Sequence, residues 1–234
     1  MNSGQRRPDI ALLLSGGLDS AVLLGCLLSQ GRVVQPLYVR SQLLWESEEL
    51  RSVRAFLEAM ACPRLAPLAV QDVPLADVYG DHWSISGDCV PDARSPDDAV
   101  YLPGRNPLLL VKAMVWCHLR GIGELAIGVL GSSPFADASD GFFSRFEEAM
   151  NIALGARVHV VRPFADMDKG HVMELGRHLP LGLTFSCIAP EHGRHCGRCN
   201  KCAERQAAFR LIGLPDPTPY AAAGSDRGAV GPLG

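Results

Sequence analysis

No apolar run in the chain reaches the roughly 18 residues that a helix needs to cross a bilayer. Basic residues are not in excess: 22 Lys and Arg face 25 Asp and Glu, a net charge of −3, so the chain as a whole offers no nucleic-acid surface. Aromatics are only 6% of the residues and are not interleaved with the basic ones, as a base-stacking platform would require. The first apolar run, Ala11–Leu14, follows Arg6 and Arg7 but breaks too early to be a signal-peptide core. A cytoplasmic protein without membrane contact is expected. Neither G-x-x-x-x-G-K-[ST] nor G-x-G-x-x-G occurs, and no internal repeat is visible. What is present is a core: 47% of 234 residues are hydrophobic, enough for one α/β domain and a small appendage.

Five short apolar runs read as parallel strands covered on both faces: Ile10–Leu14, Val33–Val39, Leu65–Val70, Leu125–Leu130 and Val158–Val161. Helical patterns alternate with them at Ser20–Ser29, Glu46–Met60, Pro107–Leu119, Phe142–Leu154 and Lys169–His178. In the second, Leu50, Val53, Leu57 and Met60 recur at helical spacing. The alternation predicts a doubly wound, mostly parallel five-stranded sheet. Residues 71–100, rich in Asp, Pro and Gly, fit no element and read as a long functional loop or a surface insertion.

The first strand stops at Ser15-Gly16-Gly17-Leu18-Asp19-Ser20, and a helix starts at once. Glycines admit a ligand close to the backbone. Unsatisfied N–H groups at a helix start form an anion site, to which Ser15 and Ser20 add hydroxyls. Asp19 beside a phosphate is explained by a Mg²⁺ between them. The alternative is a tight turn capped by Asp19.

Four of the eight cysteines crowd together: Cys187, Cys196, Cys199 and Cys202, in a C-x8-C-x2-C-x2-C pattern. In a cytosolic chain this points to a metal, and four thiolates suit a closed, structural Zn²⁺ site. An iron–sulfur cluster, a ligand exchange with His192 or His195, and disulfides are the alternatives. Cys26, Cys62, Cys89 and Cys117 read as small core residues.

SGGLDS, the middle motif Tyr101-Leu102-Pro103-Gly104-Arg105-Asn106, and the cysteine framework followed by "AERQAAF" together resemble the 7-cyano-7-deazaguanine synthase family, the ExsB-like PP-loop ATP pyrophosphatases, over about residues 11–214. The resemblance implies that Leu14, Ser15, Gly16, Gly17, Leu18, Asp19, Ser20, Gly104, Arg105 and Asn106 hold ATP, and that Asp19, Arg105 and Lys169 serve catalysis. It implies the conversion of a deazaguanine-type carboxylate to a nitrile, through an adenylate and an amide, with ammonia, ATP, Mg²⁺ and structural Zn²⁺. It also implies a homodimer. Asn106 fits a helix N-cap and Pro107 a first helical residue, leaving Arg105 beside the helix start, where an anion would account for it. The expected organisation is an ATP-binding domain over 1–180, a zinc lobe over 181–214 and a flexible tail over 215–234.

The family's polar stretch after the second strand is replaced by "YVRSQLLWESEEL", and its Gly-Tyr-Pro-Asp-Cys segment by "GSSPFADASDGFFSRF". Asp137 or Asp140 stands in for the aspartate, and Arg40, Trp45 and Glu46 are candidate replacement contacts. The changed loops keep open a relative that adenylates another carboxylate or joins a deazaguanine to another amine. Sulfur transfer to tRNA would need a catalytic cysteine pair, and a zinc-knuckle nucleic-acid module would rest on Arg194, His195, Arg198, Lys201 and Arg205 as a basic patch.

Overall fold

The computed structural model describes residues 7–221. Strands β1 (Ile10–Leu13), β2 (Val34–Arg40), β3 (Ala69–Asp72), β4 (Glu124–Ala126) and β5 (His159–Val161) form one sheet in the order β3-β2-β1-β4-β5. Every pairing is parallel. The helices are α1 (Leu18–Ser29), α2 (Glu46–Ala59), α3 (Ala76–Tyr79), α4 (Trp83–Ser86), α5 (Arg105–Arg120), α6 (Asp140–Leu154), α7 (Lys169–Leu175) and α8 (Asn200–Leu211). The strand order reverses between β1 and β4, so a crevice opens beyond their carboxyl ends.

Alternation within β1 explains why its run is continuous. Ile10 and Leu12 face one apolar layer with α1 and α7, while Ala11 and Leu13 face the other with α5 and Phe143 of α6. Helix α1 lies in the middle of its layer. Leu18, Ala21, Val22, Leu23, Leu24, Leu27 and Leu28 are all buried, so it needs no polar face. A third cluster joins Leu43, Trp45, Val100, Leu102 and Phe185 to the four clustered cysteines.

The doubly wound architecture matches expectation, but several boundaries differ for identifiable reasons. β3 begins at Ala69 rather than Leu65. Leu65 makes only an isolated bridge to Val34, and Pro67 has no N–H for the ladder. β4 ends at Ala126 rather than Leu130, because the chain beyond it turns along the crevice. There Gly128 passes so close to α1 that a Cβ would sit 3.3 Å from the backbone of Asp19 and Ser20. α7 stops at Leu175 rather than His178, where the Gly176 N–H bonds back to Val172, Met173 and Glu174. α6 starts two residues early because the Ser139 hydroxyl caps it.

The segment 71–100 is not one loop. It contains the end of β3, two single-turn helices and a 3₁₀ turn at Asp97–Val100, pinned by buried Leu75, Ser84 and Val100. α8 was not foreseen from the sequence. Its inward residues Cys202, Arg205, Ala208 and Phe209 include a cysteine ligand candidate and an arginine, which hide the apolar period. The segment expected to fray after Leu214 packs back as far as Ala221: Ala221 N–H donates to the His195 carbonyl at 2.7 Å, and Thr218 accepts from Arg205 at 2.6 Å. Residues 222–234 of that expected tail lie outside the described residues. Cys117 is buried and Cys26 and Cys62 are half-buried against the core, but Cys89 is exposed.

Candidate active site

The SGGLDS loop runs from β1 into α1 at the sheet's crevice. Gly17 caps α1 with extended backbone and no side-chain hydrogen bond, so the first-turn N–H groups have no side-chain acceptor. Ser20 Oγ donates to the Gly17 carbonyl at 3.1 Å and lies 3.2 Å from Ser15 Oγ. Gly16 holds φ +81°, and a Cβ there would lie 2.9 Å from Val53 Cγ2, so α2 seats directly on the loop. From the other side, Phe185 N–H donates to the Gly16 carbonyl at 2.8 Å. The loop is thus clamped between α2 and the cysteine-rich segment.

Two adjoining cavities share this loop. One, of about 190 Å³, lies over the ends of β1, β2 and β4, walled by Leu13, Leu14, Tyr38, Val39, Leu109 and Ile127. The other, of about 390 Å³, is walled by Trp45, Trp83, Leu102, Phe135, Phe185 and Ile188, with Lys201 and Glu204 at its edge. Ser15, Gly17, Asp19, Glu49, Arg105 and Asn106 line both. Trp45 and Trp83 stack at 5.8 Å, nearly parallel, and Tyr101 stacks on Phe135 at 5.2 Å. The smaller cavity is mainly apolar, whereas the larger one sets aromatic walls against about as much polar surface, including Asp97, Arg105, Lys201 and Glu204.

Arg105 opens α5, and its Nε is buried with no hydrogen-bond partner, so an anion would complete it. The helix starts two residues before the expected Pro107. Gly104, at φ +71°, caps it, so Asn106 is not the cap. Asn106 instead joins the opposite loop: its N–H donates to Asp137 Oδ2 at 3.2 Å and its Nδ2 to the Asp137 carbonyl at 3.0 Å. Of the two aspartates considered for that loop, Asp137 is buried beside Asn106, whereas Asp140 is exposed and pairs with Arg162 at 2.8 Å.

Lys169 does not point into either cavity. Its Nζ donates to both oxygens of Asp19, at 2.8 and 2.9 Å, and reaches Glu204 at 3.3 Å. Lys201 in turn pairs with Glu204 at 2.6 Å. Burial lowers the Lys169 pKa, but Asp19 and Glu204 outweigh it and the net direction is up. Burial likewise raises Glu204, and Lys201 and Lys169 bring it below the usual range. The chain has only three lysines, and two of them serve this row of charges running from the glycine loop to α8.

Gly16, Leu18 and Gly104 do not line the cavities; Leu18 is in the core and the two glycines shape turns. Arg40 pairs with Asp72 on the surface at 2.6 Å, and the Glu46 carboxylate accepts from the backbone N–H groups of Ser41 and Gln42. Neither lines the cavities, whereas Trp45 does. Glu49 is the polar group that sequence reasoning passed over, because it looked like one more charge on the solvent face of α2. It accepts a 2.7 Å hydrogen bond from the Tyr38 hydroxyl. Burial pushes its carboxyl up to about 7, against the opposing influence of Arg105 and Tyr38. A carboxyl raised in this way stabilises the fold when protonated. That contribution is full below about pH 4.5 and is lost as pH rises through about 7, a span of roughly 3 kcal/mol at most. Glu49→Gln is therefore expected to melt higher than the parent at about pH 8 and to lose the difference at about pH 5. Parallel melting profiles would contradict the raised carboxyl.

The Sγ atoms of Cys187, Cys196, Cys199 and Cys202 all lie within 4.8 Å of one another, and all four residues are buried. The Cys187–Cys199 and Cys196–Cys202 separations are 3.9 Å, far beyond a disulfide and near the roughly 3.8 Å edge of a tetrahedron with metal–sulfur bonds of about 2.3 Å. Backbone N–H groups of Ala189, Cys196, Arg198 and Cys199 point at the sulfurs at 3.3–3.5 Å, as groups that orient metal ligands do. Among the described residues His192 is not in this cluster, and His195 Nε2 accepts from Ser186 N–H at 3.1 Å. Of the five residues weighed as a basic patch, Arg194 and Arg198 are exposed, but His195 and Arg205 are buried, and Arg205 donates to Thr184, Thr218 and the Leu181 carbonyl.

A family model described as "Queuosine biosynthesis protein QueC" matches residues 9–213. The 7-cyano-7-deazaguanine synthase of Xylella fastidiosa (strain 9a5c) is 34% identical over 221 residues, covering 89% of this chain and 94% of the relative. That of Xanthomonas campestris pv. campestris (strain B100) is 34% identical over 221 residues, covering 90% and 96%. Among solved structures the likeness is loose: NMN synthetase from Francisella tularensis gives a TM-score of 0.45 at 15% identity, covering 89% of this chain and 79% of that one. With a clamped glycine loop, an arginine whose buried Nε lacks a partner and a four-thiol cluster matched by a family model over nearly all the described residues, the chain belongs to the queuosine biosynthesis protein QueC family.

Proposed function

We propose that this protein is an ATP-dependent carbon–nitrogen ligase that converts 7-carboxy-7-deazaguanine to 7-cyano-7-deazaguanine through an adenylate and an amide, with ammonia as nitrogen donor. The observation that carries this reading is the meeting of the uncapped N-terminus of α1 with the unpartnered Arg105 Nε at the junction of two cavities. Both are anion receptors, and they converge where a phosphoryl group would join two organic halves. The smaller cavity, with its aliphatic walls at the strand ends, takes the adenosine. The larger one, with Trp83 and Phe135 on its wall, takes the flat heterocycle. Ser15 and Ser20 hold phosphate oxygens, and Arg105 balances the charge that builds as the carboxylate attacks the α-phosphorus.

Mg²⁺ would be held by Asp19 together with phosphate oxygens, and it would neutralise the departing pyrophosphate. Lys169 donates to both Asp19 oxygens, whose remaining lone pairs leave room for Mg²⁺, and we assign Lys169 to the phosphates beside it. The four thiolates are assigned to one structural Zn²⁺. Their spacing supports this, since an iron–sulfur cluster would separate the sulfurs further than one shared ion does. We assign the metal the task of holding the segment 181–214 against the ATP-binding body, and carry over a homodimer as the assembly. A second reading, attachment of the deazaguanine to a larger amine, draws on the larger cavity's openness beside Trp83 and the altered loop after β4.

The test is pyrophosphate exchange into ATP. Exchange dependent on both Mg²⁺ and 7-carboxy-7-deazaguanine is expected. Exchange that ignores the deazaguanine, or none on metal-loaded protein, would contradict the adenylation reading.

A further inference from the structure

Both halves of the proposed reaction remove protons from one nitrogen at one carbon. Ammonia at neutral pH is mostly ammonium and has no free electron pair until it loses a proton. The later conversion of amide to nitrile removes both remaining N–H protons, the last of them as the second C–O bond breaks. One acceptor beside the reacting carbon could serve both steps. That carbon is joined through oxygen to the α-phosphorus, so it lies where the two cavities meet.

Glu49 is at that junction, lining both cavities. Its helix rests on the glycine loop: a Cβ on Gly16 would lie 3.3 Å from Glu49 Cγ. The Tyr38 hydroxyl fixes one carboxylate oxygen at 2.7 Å, and the Trp45 indole also donates to this carboxylate. Asp19, the other carboxylate shared by both cavities, is paired with Lys169 and is the residue assigned above to Mg²⁺.

We propose that Glu49 is the catalytic proton acceptor for nitrogen, an inference that rests on the adenylating-ligase reading above. In the first step its carboxylate takes one proton from ammonium. The freed ammonia pair forms the C–N bond, the acyl C–O bond breaks, and AMP leaves with that electron pair. The second nitrogen proton passes to the departing phosphate or to water. In the later step the amide oxygen displaces pyrophosphate from a second ATP and one N–H proton passes to water. Glu49, having returned its first proton to solvent, takes the last one as the N–H pair becomes the third C–N bond and the C–O bond to AMP breaks. The groups around Glu49 suit this work. Tyr38 on β2 and Arg105 on α5 favour the carboxylate, while burial and Glu46 on the same helix oppose it, so its pKa of about 7 lets it take and return protons near neutrality. Asp19, Asp97, Lys201 and Glu204 are the other charged groups on the cavity walls.

The experiment separates adenylation from nitrogen transfer in the parent, in Glu49→Gln and in Tyr38→Phe. Pyrophosphate exchange dependent on 7-carboxy-7-deazaguanine reads the first, and mass-spectrometric yield of amide and nitrile with ammonia reads the second. Glu49→Gln is expected to keep exchange within about threefold and lose nitrogen transfer by about 100-fold or more. It should also lose the rising limb of the pH profile near neutrality, measured at constant ammonium. Tyr38→Phe removes a donor that favours the carboxylate, so the same limb should move to higher pH. Nitrogen transfer unchanged in Glu49→Gln, equal loss of exchange and transfer, or a limb unmoved in Tyr38→Phe would overturn the assignment. A parent protein with no exchange would contradict the ligase reading itself, recognisable because all three proteins are then silent, and would remove the step assigned to Glu49 with it.

Discussion

Cys199→Ser is expected to lose its metal and to lower the melting temperature by roughly 10 °C, with ATP-dependent turnover falling in parallel. Four thiolates this close would repel one another unless a cation lay among them, and their spacing within 4.8 Å suits one. The surrounding cluster is small and depends on the four cysteines themselves for much of its buried surface. A structural metal supplies folding free energy directly, and loss of about 4 kcal/mol in a chain of this size corresponds to that shift. The effect should reach the active site by two routes. Phe185, two residues before the first ligand, holds the Gly16 carbonyl, and Lys201 and Glu204 project from between and after the last ligands toward Lys169. Metal analysis and melting of purified protein give the answer. A variant with full metal content and unchanged melting would refute the tetrathiolate site.

Arg105→Ala should lower turnover by about 10²–10³, the loss typical of removing one preorganised donor from a developing charge. Its Nε is buried and unpartnered in the ligand-free arrangement, which marks the side chain as waiting for an anion rather than holding the fold. Melting should therefore change little. Arg105→Lys should recover little of the loss, because an ammonium cannot present the planar fork that the position offers. Steady-state rates with saturating Mg·ATP distinguish the outcomes. Recovery of most activity by lysine would mean that only a point charge is needed there, and a large fall in melting would reassign Arg105 to structure.

The parts legible in the sequence were those written in local chemistry. SGGLDS announced a strand, a tight turn and a helix start because glycine tolerance and helix-end N–H groups act within a few residues. The cysteine spacing announced a metal for the same reason. What stayed hidden depends on contacts between distant segments. Glu49 reads as an ordinary solvent-facing charge until β2 brings Tyr38 against it and α5 brings Arg105. The pairing of Lys169 with Asp19, 150 residues away, was equally hidden. Helix α8 was missed because its inward face carries Arg205, buried through hydrogen bonds to Thr184, Thr218 and the Leu181 carbonyl. Asn106 reads as a cap until Asp137 claims its side chain and backbone from the opposite loop, and Gly104 takes the cap instead.

The central claim is that these two cavities join a deazaguanine carboxylate to AMP and then to nitrogen. Mass spectrometry of products from purified, metal-loaded protein with Mg·ATP, ammonia and 7-carboxy-7-deazaguanine tests it most directly. The account predicts 7-cyano-7-deazaguanine, with AMP and pyrophosphate, formed only when all three reactants are present. AMP and pyrophosphate without amide or nitrile, or an unreacted substrate beside folded protein, would contradict it.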